Sequence, residues 1–174
     1  MLLSGAIFTG FQQYKSTLQE DGREDANQTA TNVGTVLATQ FSTHRKTVEV
    51  AAGNPAMARH GSDAQRRALR QFVDKTLFSG VSVVGHNGTM TNIVSNLSTQ
   101  QRESLLGTDF GDRTYVQRAL AGETYLSDPI TAESGNRIVT ISTPIRRDGE
   151  IVGTLNAAFH VPDAWFADAV SNSL

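Results

Sequence analysis

The side chains with the greatest potential for chemistry in this 174-residue sequence are its four histidines, because imidazole binds metals and transfers protons near neutral pH. They are His44, His60, His86 and His160. None lies four residues from another, the spacing that places two imidazoles on one helix face to bind a metal. They also occur in dissimilar sequence contexts. The pattern therefore predicts neither a metal centre nor a histidine-based catalytic site.

Other catalytic motifs are missing from the sequence as well. It contains no cysteine, which removes thiol nucleophiles, cysteine-ligated zinc and disulfides. No serine stands in a nucleophile elbow, and no glycine-rich phosphate loop occurs. Asp109 and Asp112 lie in a short glycine-containing loop, but their spacing does not match a calcium-binding loop. We therefore predict a protein that is not an enzyme and has no cofactor.

The composition indicates one folded domain, or one domain with an additional long helix. Hydrophobic residues make up 39% of the chain and charged residues 18%, which provides a core and excludes disorder. The 15 basic residues are scattered among 17 acidic ones, and the formal net charge is −2. A nucleic-acid partner would require a basic patch or stripe, so none is predicted.

A long amphipathic helix is predicted for the first part of the chain. From Gln12 to Ala52 there is no proline, and apolar residues recur at spacings of three, four and seven. A helix of about 30 residues would span ~45 Å, so we expect it to pack on a sheet and consider a homodimer contact along it. Residues 1–11 are apolar but shorter than the roughly 20 residues of a membrane span. They fit either the end of a transmembrane helix or a vector-derived leader.

The middle of the chain combines short helices with one hairpin. A second helix is predicted to open at Ser62-Asp63 and to run to Phe78. The β-rich runs Gly80–Val84 and Thr89–Val94 flank an Asn-Gly turn, which is a strong hairpin signal. Two further short helices are expected, and the second has Asp112 as its N-cap and Gly122 beyond its end. These two helices cover Ser98–Leu106 and Asp112–Ala121.

The last third of the chain is predicted to form strands and a final helix. The strands are Glu123–Ser127, Asn136–Ile145 and Ile151–Val161, and the turn Arg147–Glu150 joins the last two. A terminal helix follows from Pro162. The order of elements predicts an α+β fold, in which the long N-terminal helix packs on a mostly antiparallel sheet of about five strands.

Three stretches of the sequence, taken in order and spacing, resemble the Cache superfamily of extracellular sensors. They are DFGDRTYVQRALAGETYLSDP (Asp109–Pro129), IVTISTPIRRDGEIVGTLNAAF (Ile138–Phe159) and, more weakly, VSVVGHNGTM (Val81–Met90). The resemblance covers most of the chain from about residue 20 and implies that the sheet is PAS-like. It divides the chain into a membrane-proximal or vector-derived segment (1–11), two helices (12–78), a sensor core (79–161) and a C-terminal helix (162–174).

The resemblance also implies a ligand pocket on one face of the sheet, under the short helices. In similar domains the segment matching Asp112–Leu120 supplies an arginine and an aromatic residue, here Arg113 and Tyr115. A guanidinium can pair two donors with one carboxylate, and tyrosine adds a hydroxyl and a rigid wall. Tyr125 and Asp128 follow at the strand edge before proline and are further candidates.

Strand alternation adds three polar candidates to the predicted pocket. Thr140 and Ser142 share one face of their strand, whereas the more apolar alternating set should meet the core helix. On the final strand, Asn156 lies on the same face as Ala158. Amino-acid-binding domains of the resembled family usually carry an aspartate at the position of Ala158, where it pairs with the ligand's ammonium group. The resemblance therefore favours a small carboxylate over an amino acid, with a small uncharged polar ligand still open.

The resemblance implies the ligand-sensing domain of a membrane signal-transduction receptor, either a histidine kinase or a chemoreceptor. Such a domain lies on the extracellular or periplasmic side of the cell membrane and passes its signal through flanking transmembrane helices. The alternative is a ligand-free module that only dimerises a receptor ectodomain. A cytoplasmic PAS-like domain with a cofactor fits worst, because the matching features are those of extracellular members.

Overall fold

The computed structural model describes residues 42–132 and 135–160, and residues 47–160 form one compact unit. Helix α1 is described over residues 42–52, and its end agrees with the predicted end near Ala52. The remainder of the predicted N-terminal helix, residues 1–11 and the predicted C-terminal helix lie outside the described residues. The dimer contact along the first helix and the division into segments therefore stay predictions.

Helix α2 spans Asp63–Asp74 and begins where the sequence predicts, because the Ser62 side chain caps its first turn. It ends four residues earlier than predicted. The chain turns out of the helix so that Phe78 enters the core, where its ring centroid lies 4.3 Å from that of Phe159. Ser79 then donates its backbone N–H to the final strand. Packing of one aromatic residue thus overrides the helical pattern.

All strands of the described residues join one antiparallel sheet of six strands. The sequence predicts about five, and the difference arises at Pro129. Proline has no N–H to donate to a ladder, so the predicted strand Glu123–Ser127 is replaced by two short strands on either side of Asp128-Pro129. The strands are β1 Gly80–Gly85, β2 Met90–Ser95, β3 Tyr125–Leu126, β4 Ile130–Thr131, β5 Arg137–Arg147 and β6 Glu150–His160. Their order is β2-β1-β6-β5-β3, with β4 also paired to β5.

The two predicted hairpins are present. Asp148 and Gly149 both have positive φ, at 54° and 86°, which is the backbone of the two-residue turn that Asp-Gly favours. This turn joins β5 to β6, the longest strands of the sheet. Gly88 has φ 84° in the Asn-Gly turn between β1 and β2. Both turns therefore place glycine where a side chain would be strained.

Two short helices cross over one side of the sheet between β2 and β3. Helix α3 spans Thr99–Leu105 and opens with a capping box between Ser98 and Gln101. Helix α4 spans Thr114–Leu120, and Gly122 follows its end with φ 99°, as predicted.

The prediction that Asp112 caps helix α4 is wrong. The N-cap is Arg113, and it makes no side-chain capping bond. The Arg113 N–H donates to the Phe110 carbonyl at 3.1 Å. Residues 110–113 thus form a turn of their own, and Asp112 lies within that turn rather than at the helix start.

The two faces of the sheet pack against different elements. One face, here called the core face, packs against helix α2, and Phe72 of that helix stacks on Phe78 at 5.3 Å. The opposite face, here called the pocket face, packs against helix α4 and the segment before it. The core face presents Val81, Val83, Val139, Ile141, Leu155, Ala157 and Phe159, all buried.

Candidate ligand-binding site

A pocket lies on the pocket face, between the central strands and the crossing segment that carries α3 and α4. Its cavity volume is about 120 Å³, slightly below the ~150 Å³ of an apolar cavity that holds benzene. Strands β1, β2, β5 and β6 form its floor, and residues 95–97, 130–132 and 110–115 contribute to its walls. Its size suits a ligand of a few non-hydrogen atoms.

The floor of the pocket is formed by polar and small side chains from the middle of the sheet. Asn156 of β6 lies opposite Ser82 of β1, and Ala158 lies between Gly80 of β1 and Thr140 of β5. All five residues line the pocket. Alternation along the strands brings them to one face, and the register between β1 and β6 sets them side by side.

Asn156 is the floor residue whose hydrogen bonds are incomplete. Only 3% of its surface is exposed. Its Oδ1 atom accepts a hydrogen bond from Thr154 Oγ1 at 3.2 Å, which orients the amide group. Its Nδ2 atom is buried and has no partner among the described residues. A buried donor without an acceptor costs about 1–3 kcal/mol, so this amide points to an acceptor supplied by a ligand or water.

Arg113 supplies positive charge to the wall of the pocket. Its guanidinium carbon lies 5.8 Å from the centroid of the Phe110 ring, and its Nε lies 3.8 Å from an Asp112 oxygen. The Asp112 side chain is 84% exposed and that of Arg113 is 39% exposed. An ion pair so exposed to water is weak. A guanidinium carries its N–H donors in a planar fork whose geometry matches a carboxylate.

The described lining of the pocket is unbalanced in charge. Arg113 is the one formally charged side chain in that lining, which contains neither aspartate nor glutamate. The same part of the chain holds no cluster of three or more potential metal-ligating side chains. The electrostatic environment of the pocket therefore favours an anionic group over a cationic one.

Apolar side chains complete the walls. Met90 and Phe110 belong to a buried cluster with Val84 and Val116, and Ile93, Leu105 and Tyr115 pack against it. This cluster anchors the crossing segment to the sheet and closes one end of the pocket. A ligand with a short apolar body beside its charged group would contact these walls.

Four of the seven residues predicted from the sequence line this pocket. They are Arg113, Tyr115, Thr140 and Asn156. Two come from the start of α4 and two from the central strands, so the fold brings together residues that are more than 40 positions apart. Their contact with a ligand stays a prediction.

The other three predicted residues do not line the pocket. Ser142 is fully buried two residues beyond Thr140, and its hydroxyl has no hydrogen-bond partner among the described residues. The Tyr125 ring lies 5.6 Å from the guanidinium carbon of Arg118, which belongs to helix α4. Asp128 is exposed in the link between β3 and β4. Helix α4 thus covers the part of the sheet where Ser142 and Tyr125 lie.

Several lining residues were not proposed from the sequence. Ser82 alternates with Val81 and Val83 on β1 and pairs with Asn156 of β6. The sequence shows the alternation, but assigning Ser82 to the pocket face also requires the register between β1 and β6. Asn96 and Asn136 come from connecting segments, where no periodic pattern identifies the direction of a side chain. His160 lies four residues from Asn156 on β6 and therefore shares its face, but it was not proposed as a ligand contact.

The fold of the chain matches that of solved receptor and sensor domains. An extracellular ligand-binding receptor from Desulfohalobium retbaense shares 18% identity over 70% of this chain, with a TM-score of 0.60. The sensor domain of the V. cholerae histidine kinase DctB shares 17% identity over 71% of the chain, also with a TM-score of 0.60. The described residues share the fold of these solved domains, in agreement with the fold that the resemblance implies. At these identities the comparison establishes the fold alone.

A chemoreceptor offers a third comparison. The ligand-binding domain of the Pseudomonas fluorescens chemoreceptor CtaA, solved with L-valine, shares 20% identity over 70% of this chain, with a TM-score of 0.55. The matched regions make up 22%, 50% and 53% of the three solved chains, so this chain spans about half of their length or less. The three solved chains are thus a ligand-binding receptor, the sensor domain of a histidine kinase and the ligand-binding domain of a chemoreceptor. No protein-family profile and no curated protein matches the sequence.

The described helices are short. None among residues 42–132 and 135–160 has the length and apolar character that a membrane span requires.

Proposed function

We propose that this chain is the extracytoplasmic ligand-sensing domain of a membrane signal-transduction receptor, and that its pocket binds a small carboxylate. The observation that carries the proposal is the pairing of two donors in one pocket. Arg113 supplies a guanidinium at the wall, and Asn156 supplies a buried amide N–H at the floor that has no acceptor among the described residues. The Cache-type fold supports the receptor context, because its solved neighbours are sensor and receptor domains.

In the proposed complex the carboxylate pairs with Arg113 and accepts a hydrogen bond from the Asn156 amide. The Thr140 hydroxyl adds a further polar contact on the floor, and Tyr115 forms part of the wall. The short body of the ligand lies against the apolar cluster. Charge-assisted hydrogen bonds are about twice as strong as neutral ones, so Arg113 contributes most to affinity.

A carboxylate is favoured over an amino acid because the described lining offers no counter-charge to an ammonium group. Ala158 lies on the floor beside Gly80 and Thr140, and none of these side chains carries a charge. A desolvated ammonium without an anionic partner is costly. The chemoreceptor CtaA was solved with L-valine, and we propose that this chain differs from it in ligand class.

Binding transmits a signal only if the ligand prefers one of two arrangements of the domain. The crossing segment supplies Arg113 and the sheet supplies Asn156, so a ligand that contacts both draws two packed layers together. We propose that this closure changes the arrangement of the helices that lead to the membrane.

A thermal-shift screen tests the proposal. The panel contains acetate, propionate, lactate, malonate and succinate, together with L-valine, L-serine and glucose. We expect at least one carboxylate to raise the melting temperature, because a ligand at 100 times its dissociation constant stabilises the folded state by ~2.7 kcal/mol. Arg113→Gln should weaken the best carboxylate about tenfold or more, since it removes a charge-assisted bidentate pair.

Arg118→Gln is the matched control, because Arg118 lies on the same helix but pairs with Glu123 outside the pocket. If no carboxylate stabilises the protein, or if Arg113→Gln binds as well as Arg118→Gln, the proposed ligand class is wrong. Stabilisation by none of the compounds would favour a ligand-free dimerisation module.

A further inference from the structure

A second depression, here called the arginine groove, lies beside the edge strand β2, between helices α2 and α3. Its cavity volume is about 470 Å³, larger than that of the pocket. Ile93 and Ser95 of β2 line both the pocket and the groove. The two sites are therefore neighbours separated by one strand.

Three arginines line the arginine groove, and Glu103 is the one acidic residue in its described lining. Arg66 and Arg70 project from helix α2 and are exposed. Neither forms an ion pair with any described residue. They lie four positions apart, an arrangement in which like charges repel on a helix. This repulsion does not stabilise the fold. An anionic ligand bound at the two side chains would neutralise it.

The third arginine, Arg102 of helix α3, is held in place by the protein. Its Nη1 donates to the carbonyls of Leu97 and Ser95, and its Nη2 donates to Thr99 Oγ1 at 3.1 Å. The guanidinium is thus oriented before any ligand arrives, which lowers the entropy lost on binding. Because Ser95 and Leu97 also line the pocket, Arg102 ties the groove to the pocket wall.

The edge strand itself is closed to a further β-strand at this point. The Ile93 N–H donates to its neighbour Asn92 Oδ1 at 3.1 Å, and the Ser95 carbonyl accepts from Arg102. Strand addition needs such edge groups to be free for a new ladder. The geometry therefore favours a compact anion over an extended acidic peptide.

Asn92 lines the groove and is held by a hydrogen bond to helix α2. Asn92 is buried, and its Nδ2 donates to Gln65 Oε1 at 3.2 Å. The same Oε1 accepts from the Gly61 N–H at 3.0 Å. This network fixes helix α2 against β2 and so sets where Arg66 and Arg70 stand.

We propose that the arginine groove is a second binding site, for a small anion that carries two or more negative charges on phosphate or carboxylate groups. Three guanidiniums against one carboxylate leave the groove with excess positive charge, although the whole chain is formally negative. Arg66 and Arg70 bind the anion from one side and Arg102 binds it from the other. The site is independent of the ligand proposed for the pocket.

Calorimetric titrations with inorganic pyrophosphate and, separately, with citrate at low ionic strength test this site. We expect saturable binding of at least one anion, weakened by added salt. The double variant Arg66→Gln/Arg70→Gln should weaken it about tenfold or more, because two charge-assisted contacts are lost. Glu103→Gln should tighten it, because the one opposing charge is removed.

Two controls separate this site from general charge and from the pocket. Arg67→Gln removes an exposed arginine of the same helix that does not line the groove, and it should leave binding within about twofold, as a screened surface charge would. Arg113→Gln should leave binding unchanged. Circular dichroism and melting temperature check that each variant is folded. The proposal is overturned if neither anion binds saturably, if Arg67→Gln weakens binding as much as the double variant, or if only Arg113→Gln abolishes it.

Discussion

The two faces of the sheet differ in the polarity and the hydrogen bonding of their side chains. On β6, Leu155, Ala157 and Phe159 point to the core face and pack against apolar neighbours. Thr154, Asn156 and Ala158 alternate with them and point to the pocket face. Both sets are largely buried, yet one is apolar and the other includes Asn156, whose Nδ2 has no acceptor among the described residues.

This difference indicates a division of roles within single strands. Apolar burial on the core face stabilises the fold, whereas a buried amide without an acceptor lowers stability. Polar groups kept at such a cost are a common property of binding sites. The comparison predicts that substitutions one residue apart on β6 have opposite consequences.

The largest effect is expected on the core face. Leu155 is fully buried opposite Val83 and Thr143. Leu155→Ala should lower the free energy of unfolding by about 2–5 kcal/mol, because it removes apolar contacts and leaves a cavity. Urea denaturation followed by circular dichroism measures this change. A loss below about 1 kcal/mol would show that this face is not the main source of stability.

A much smaller change in stability is expected for the adjacent polar pair. Thr154→Val/Asn156→Leu replaces the incompletely bonded amide and the hydroxyl that donates to it with apolar groups of similar shape, which can be close to neutral or even stabilising. The free energy of unfolding should change by less than about 1 kcal/mol. Binding of the best carboxylate should nevertheless weaken about tenfold or more, because the floor donor is lost. A variant that is strongly destabilised but binds normally would reverse the roles of the two faces.

The sequence was enough to assign strand residues to the two faces of the sheet. It was not enough to identify which of those residues line the pocket. Alternation in Ile138–Thr143 assigned Thr140 to the pocket face because side chains on a strand alternate strictly. The same rule placed Ser142 on that face without revealing that helix α4 covers it. Tyr125 was proposed from the order of motifs, and its position beside Arg118 depends on helix packing. Whether a helix covers part of a sheet face depends on tertiary packing, and the alternation of residues along one strand does not reveal it.

Local hydrogen-bond competition explains the misplaced start of helix α4. Asp112 has the side chain of a good N-cap, yet the turn from Phe110 to Arg113 takes its place. The hairpins were predicted correctly because Asn-Gly and Asp-Gly determine the turn backbone through their own φ preferences. Turns fixed by the φ preferences of two adjacent residues were thus accessible from the sequence. The outcome of competition between two local turns, and features fixed by distant packing, were not.

The smallest effect is expected at the other end of strands β1 and β6, where Gly85 pairs with Gly153. A Cβ atom on Gly153 would lie 2.7 Å from the His60 ring, so glycine makes room for this imidazole. Burial lowers the pKa of His60, and the charge of Arg147 lowers it further. The folded state therefore resists a proton that the unfolded chain accepts once the pH falls below ~6.5.

The free energy of unfolding should accordingly decrease as the pH is lowered below ~6.5. Above that pH, His60 causes no such loss. Melting temperatures at pH 7.5 and 5.5 measure the dependence, and His60→Gln should make it shallower than in the parent protein. An equal dependence in both proteins would show that His60 is not responsible. The comparison then extends to a third region, in which a half-buried polar group responds to pH rather than to a ligand.

The most direct test of the central claim follows the side-chain amide of Asn156 by ¹H–¹⁵N NMR during titration with the best carboxylate of the thermal-shift panel. We predict that the Asn156 side-chain resonances and the Arg113 Nε resonance shift with the same saturation curve, whereas the side-chain amide of Asn87, in the β1–β2 turn, stays in place. A carboxylate that stabilises the protein while the Asn156 and Arg113 resonances remain unchanged would contradict the assignment of this pocket as the sensing site.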